Sequence, residues 1–254
     1  FFVLKILRSK SCISTSCQHD HCQSCTKSAF HPLVHTLSSL KNLKFRGIST
    51  HPGQVYGCTT RAALEEVAKL EKDTMKRAAD ALAAAGFPCE IISSGSTPTF
   101  EIAIKDKTLN VSHPGNYTFF DNIQISLGTC GEDACSLRVL ATVVSHPSEG
   151  FYLFDAGSKC LGLDQGAHGN SAIKGFGYVV GHPELTIVGL SEEVAKVKAD
   201  GTCDLQVGDQ VEIIPNHSCS TANNTGWYTC VRGDEIVDFI AVDARENSKK
   251  KGTL

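Results

Sequence analysis

One methionine, Met75, and one tryptophan, Trp227, are all that the 254 residues hold of either type, and the first position is Phe1. A chain that opens without an initiator is expected to be a fragment or a processed product. Charge of one sign is also in short supply. The 24 Lys and Arg against 27 Asp and Glu leave −3, which gives no general attraction to nucleic acid or anionic lipid. No apolar run approaches the ~20 residues that span a bilayer. The opening "FFVLKIL" lacks the charged start and small-residue cleavage site of a secretory signal. Neither a nucleic-acid nor a membrane partner is expected. With 41% hydrophobic residues, the chain can bury a substantial core.

Cysteine, by contrast, is abundant, with twelve in all. Eight of them, Cys58, Cys89, Cys130, Cys135, Cys160, Cys203, Cys219 and Cys230, are scattered, a usage that suits reduced thiols and a cytoplasmic location. The other four, Cys12, Cys17, Cys22 and Cys25, crowd into "CISTSCQHDHCQSC" with His19 and His21. Only Cys22 and Cys25 have the two-residue gap of a metal knuckle, and no second pair follows at finger spacing. Residues 1–42 are therefore read as an unstructured leader.

From residue 43 the texture changes. A strand from Leu43 to Ser49 runs into the loop "THPGQVYG". A helix is predicted over Thr60–Ala85, where Leu64, Val67, Leu70, Met75, Ala78, Ala79 and Leu82 fall at helical spacing and Gly86 and Pro88 stop it. A strand over Cys89–Ser93, a Gly/Ser/Thr loop, a short helix near Phe100–Ile104 and a strand ending in a Gly-Asn loop follow. This βα repetition places a loop after each strand, and in α/β barrels such loops carry the functional groups. Beyond residue 135 short alternating runs separated by Gly, Pro and Asp turns predict antiparallel β structure. The expected fold is α/β: a partial (β/α) barrel over 43–134, an antiparallel β domain over 135–247, and a charged tail over 248–254.

Three stretches carry chemistry. In "SSGSTPT", Gly95 permits close backbone approach while Ser96 and Thr97 add hydroxyl donors, a composition suited to phosphate and shared with ligand-free turns. "SHPGNY" adds Gly115 and Asn116, which also fit a strand-end turn. In "IIPNHSCSTANN", His217 and Cys219 stand one residue apart. On a strand both would face one side, and an imidazole beside a thiol is half of a zinc site. Two ligands do not complete a tetrahedron, and a structural Cys next to a surface His gives the same spacing. His51 and Tyr56 lie in the first loop, and Asp155 breaks the strand "GFYLFDAG" as a turn former would.

Taken in order, "THPGQVYG", "SSGSTPT", "SHPGNYTFFD", "LFDAGSK", "GFGYVVG", "IVGLSEE" and "VGDQVEIIPNHSCST" resemble the D-serine dehydratase and D-threonine aldolase family over about Leu43–Asn247. The resemblance implies an alanine-racemase-like barrel, a C-terminal β domain and pyridoxal 5'-phosphate as cofactor. It implies that Gly95, Ser96, Thr97, Gly115 and Asn116 hold the cofactor phosphate, that Tyr56 lies beside the cofactor, and that His217 and Cys219 bind Zn2+. Aldolases of this kind place Asp at the second metal ligand, so Cys219 sides with the dehydratases. The implied activity is a PLP-dependent ammonia-lyase that converts a small-molecule D-amino acid, D-serine, to pyruvate and ammonia. Aldol cleavage of 3-hydroxy D-amino acids is the alternative, and a homodimer is the implied assembly.

The sequence also departs from this family. The run Arg-Pro-His-x-Lys-Thr-His that carries the Schiff-base lysine is missing, and Lys41 and Lys44 lack its context, so the catalytic lysine is unassigned. About half of a barrel's strands are not here. Val194 and Ala195 stand where relatives have His-Gly, and Gln54 replaces a histidine. These losses weigh against activity of the chain by itself, and a non-catalytic zinc-binding pseudo-enzyme stands as a further alternative to the lyase.

Overall fold

A computed structural model of the chain describes residues 2–8, 12–13, 16–17, 34–36, 39–105, 107–165 and 173–245. Four members of the leader's Cys/His cluster, His19, His21, Cys22 and Cys25, lie outside these residues. The chain divides into two units, Phe1–Tyr117 and Thr118–Leu254.

In the first unit the leader contributes strands where no sequence period announced them. β1 (Phe2–Arg8) pairs antiparallel with β4 (Leu43–Thr50), and the short β2 (Cys12–Ile13) and β3 (Ser16–Cys17) pair back on β1. From β4 onward the sheet is parallel: β5 (Ile91–Ser94) and β6 (Val111–Ser112) follow in order, with Ser49 opposite Ser93 and Ser94 opposite Ser112. A parallel neighbour needs a crossover, and α1 (Arg61–Ala84) supplies the first one. Thr60 caps it by accepting a hydrogen bond from the Ala63 N–H, and Gly86 stops it in the left-handed region at φ 86°.

The buried stripe of α1 corrects the sequence reading at one position. Leu64, Ala68, Glu71, Met75, Ala78, Ala79 and Leu82 face inward, a run of three- and four-residue steps that keeps one helix face. Leu70, expected on that stripe, lies one position off it and is 57% exposed. Its neighbour Glu71 is buried instead. Met75, Ala78 and Leu82 pack with Ile48 of β4 and Ile92 of β5 into the core of this unit. α2 (Thr97–Ala103) begins three residues earlier than expected because Pro98 fits the first turn, where a missing N–H costs nothing.

The second unit opens with the short α3 (Asn122–Ser126). Six strands then form one antiparallel sheet in the order β10-β11-β8-β7-β12-β9. They are β7 (Val139–Ser148), β8 (Phe151–Phe154), β9 (Tyr178–Val179), β10 (Leu185–Leu190), β11 (Ala195–Ala199) and β12 (Gln210–Ile214). The N–H of Phe176, just before β9, reaches the carbonyl of Ile187 in β10 at 3.1 Å, so the two ends of the sheet meet and the barrel is nearly closed. Alternating residues fill it: Val143, Tyr152, Phe154, Val179, Ile187, Val197 and Ile213 are all but inaccessible. α4 (Ser158–Leu161) and α5 (Ser218–Asn224) flank the barrel. A hairpin of β13 (Trp227–Arg232) and β14 (Glu235–Ala241) turns at Gly233. The division into units falls before α3 because the chain there bonds to β12's exit: Asn122 N–H donates to the Pro215 carbonyl and Ile123 N–H to that of Asn216.

Candidate functional site

The parallel strands of the first unit deliver three loops in succession. β4 ends at Thr50 and leads into a 3-10 turn, Gly53–Gly57, that holds Tyr56. His51 stacks on Tyr56 with ring centroids 6.4 Å apart, and its Nδ1 lies 2.6 Å from the Gly95 carbonyl. One imidazole thus ties the first loop to the second. The second loop is a store of buried hydroxyls: Ser93, Ser94, Ser96, Thr97 and Thr99 are each at most 4% exposed. Ser96 and Thr99 share a hydrogen bond at 3.0 Å, and Ser93 meets His113 Nδ1 at 2.8 Å. The third loop joins in where the Asn116 backbone N–H donates to Thr97 Oγ1 at 3.1 Å.

The two glycines of these loops have different reasons. A Cβ on Gly95 would lie 2.6 Å from the backbone of His113, so its close approach is to protein. A Cβ on Gly115 would meet nothing within 4 Å, which leaves open space at the third loop. Ser94 Oγ, buried and without a hydrogen-bond partner among the described residues, is a donor held in reserve. Hydroxyl donors beside open space match the chemistry of a phosphate oxygen. Tyr56, Gly95, Ser96, Thr97, Gly115 and Asn116 are therefore gathered within the first unit.

In the second unit the stretch around His217 is not the strand its apolar lead predicted. β12 stops at Ile214 because Pro215 has no N–H to continue the ladder. His217 then takes the N-cap position of α5 in an extended conformation, φ −133° and ψ 108°, and Cys219 stands in the first turn. The two side chains still meet. His217 is hydrogen-bonded to Asp121 and to Cys219, which together push its imidazole up to about 10 against the opposing effect of burial. The same contact with His217 draws the Cys219 thiol below its ordinary value. Cys219 is exposed to solvent.

Asp121 is the residue that sequence reasoning missed. It is fully buried, at 0% exposure, and takes three donors. Its Oδ1 accepts the Gln124 N–H at 3.1 Å, capping α3. Its Oδ2 lies 3.2 Å from His217 Nδ1 and accepts the Ser218 N–H at 3.0 Å, capping α5 from across the fold. Below it, Asn122 Nδ2 donates to Asn216 Oδ1, and Asn216 Nδ2 donates to the carbonyls of Asp164 and Gly175. A histidine whose Nδ1 is held by a carboxylate presents Nε2 as its ligand atom, the second-shell arrangement of metal-binding histidines. With a thiol alongside, the donor set suits a zinc-class ion. By contrast, Asp155 acts within the fold, accepting the Thr142 N–H at 2.6 Å, and Ala195 is buried in β11.

Residues 136–231 match the family model described as a putative serine dehydratase domain. The chain is 33% identical over 207 residues to the D-serine dehydratase of Dictyostelium discoideum, covering 76% of this chain and 52% of that protein. It is 31% identical over 208 residues to the D-threo-3-hydroxyaspartate dehydratase of Delftia sp., covering 77% and 55%. The chain thus spans about half the length of the curated relatives it matches. A solved structure of that second dehydratase, a cysteine-to-alanine mutant in the metal-free form, superposes with a TM-score of 0.70 at 30% identity, over 78% of this chain and 56% of the other.

Proposed function

We propose, from the premise that this chain belongs to the D-serine dehydratase and D-threonine aldolase family, that it is part of a lyase that removes water from a 3-hydroxy D-amino acid, with D-serine giving pyruvate and ammonia. Pyridoxal phosphate would be held by Ser94, Ser96, Thr97, Gly115 and Asn116 at its phosphate and by Tyr56 at its ring, and zinc by His217 and Cys219. When bound, these groups supply an electron sink for the α-carbon and a Lewis acid for the departing β-hydroxyl.

The residues of this chain set the conditions for that chemistry. The Asn116 N–H donates to the Thr97 hydroxyl oxygen, which leaves the Thr97 proton for a further acceptor. His51 fastens the Tyr56 loop to Gly95, so the two loops hold one geometry. Asp121 keeps the Nδ1 proton of His217 and leaves Nε2 as the ligating nitrogen. Cys219, exposed to solvent and with its thiol drawn below the ordinary value by His217, would be the second ligand. The proton acceptor for the α-carbon is not assigned to any residue of this chain.

The Asp121–His217–Cys219 arrangement carries the reading. Support comes from the metal-free Cys-to-Ala mutant of the Delftia dehydratase and from a His-to-Ala mutant of the same enzyme, whose altered positions are two apart, as His217 and Cys219 are. The dehydratase reading is favoured over aldol cleavage by the thiol at position 219. Incubation of the protein, loaded with pyridoxal phosphate and zinc, with D-serine, D-threo-3-hydroxyaspartate and D-threonine tests it. Ammonia and a 2-oxo acid from either of the first two support dehydration. Glycine and acetaldehyde from D-threonine would move the protein to the aldolases. Tight zinc binding with no product from any substrate would identify a non-catalytic binder.

A further inference from the structure

A second set of metal-type donors lies in the second unit, on segments that the proposed reaction does not use. His182 and Glu184 stand in "GHPE", the turn between β9 and β10, and Cys203 lies in the loop between β11 and β12. The His182 Nδ1 is 3.0 Å from Glu184 Oε1, with the two side chains 24% and 25% exposed. One donor atom from each of His182, Glu184 and Cys203 falls within 4.8 Å of the others. Ligands ~2.0–2.3 Å from a tetrahedral zinc ion stand roughly 3.3–3.6 Å apart, so side-chain shifts of about 1 Å bring the three groups onto one ion.

The backbone around these groups is fixed from several sides. The His182 N–H bonds to the Val179 carbonyl and the His182 carbonyl accepts from Leu185, which folds the turn tightly. The Asp200 N–H donates to the Glu184 carbonyl at 2.9 Å. Tyr152, 1% exposed in the barrel core, donates its hydroxyl to the Cys203 carbonyl at 3.0 Å, and His146 stacks on the same ring at 4.2 Å. Preorganisation of this kind is what separates a site from a chance cluster. A plain His–Glu surface pair accounts for two of the groups. It does not account for a thiol within 4.8 Å of both.

We propose that His182, Glu184 and Cys203 bind one divalent ion of the zinc class, with a fourth position open to water, and that the ion clips the β9–β10 turn to the β11–β12 loop. The mixed imidazole, thiolate and carboxylate set selects zinc or cobalt over magnesium or calcium, which prefer all-oxygen sites. The site is independent of the proposed activity.

Cobalt(II) titration of the full chain tests the proposal, with His217→Ala and Cys219→Ala in place to silence the other pair. The expected result is one equivalent bound, with the near-ultraviolet absorption of a thiolate–cobalt bond. Adding Cys203→Ser should remove that absorption and weaken binding at least about tenfold, and His182→Ala should weaken it similarly. Near-ultraviolet circular dichroism verifies that each variant keeps its packing. Should the silenced background not fold, Cys203→Ser alone in the native chain should lower the bound zinc by one equivalent. A folded silenced variant that binds no cobalt, or cobalt binding indifferent to Cys203→Ser, overturns the site.

Discussion

The carboxylate of Asp121 and the imidazole of His217 meet at 3.2 Å across 96 positions of sequence. Because Asp121 is fully buried, its carboxyl oxygens need donors, and His217 Nδ1 joins the Gln124 and Ser218 N–H groups in meeting them. The pair therefore fixes both the tautomer and the tilt of the ring that the proposed zinc would use.

Asp121→Asn separates these duties. The amide oxygen can still cap α3, while the new N–H2 group cannot accept from His217 or from Ser218. Zinc affinity, measured by competition with a chromophoric chelator, should fall about 10- to 100-fold. An affinity unchanged from the native chain, with the fold intact, would remove Asp121 from the metal-binding apparatus.

Cys219→Ala should strip most of the zinc proposed to sit on His217. Elemental analysis after desalting reads this directly, with the His182–Cys203 group silenced by Cys203→Ser so that the two sites are not confused. Cys219→Asp should retain an ion but shift preference from zinc toward manganese, because a carboxylate is the harder ligand. Metal content equal to that of the native chain in the Ala variant would defeat the assignment.

How much of this was readable beforehand depended on sequence distance. α1 was legible because 24 residues repeat one helical face between a threonine cap and a glycine stop. His217 and Cys219 were legible as a pair because they stand side by side in the chain. Their geometry was not, since Pro215 ends β12 and turns a predicted strand into a helix start. Asp121 was invisible: an acid after "YTFF" has no local partner to betray it, and its donors arrive from residues 217 and 218. Glu71 was hidden by its neighbour, as Leu70 offered a more plausible core residue one position away. β1 gave no period of its own because its register is set by β4.

The hydroxyl loop of the first unit yields a separate prediction. Thr97→Val with Asn116→Ala removes a hydroxyl and an amide side chain from two buried positions. Free pyridoxal phosphate binding, followed by quenching of intrinsic fluorescence, should be lost. Gly115→Ala, at a position with open space around it, should weaken binding without lowering the thermal midpoint, whereas Gly95→Ala should lower both, because its Cβ would strike His113. Unchanged affinity in the double variant would dissolve the phosphate reading.

Glu71 makes the stability of the protein depend on pH in a definite direction. Burial raises its carboxyl from 4.5 to about 7, against a smaller opposing effect of the Thr99 hydroxyl. The folded chain therefore binds this proton more tightly than the unfolded one. The contribution is fully present below about pH 4.5 and is lost as pH rises toward about 7, where the buried group must ionise. A shift of this size corresponds to on the order of 3 kcal/mol. Glu71→Gln keeps the shape and cannot ionise, so it should unfold in urea much as the native chain does near about pH 5, within about 1 kcal/mol, and should be the more stable of the two near about pH 8 by up to that larger amount. The quantity to follow is the difference between variant and native chain at each pH, because every other titrating group cancels in it. A difference that stays constant from about pH 5 to about pH 8 would mean that Glu71 is ionised throughout, and that its place on the inner face of α1 is matched by a donor strong enough to hold the charge.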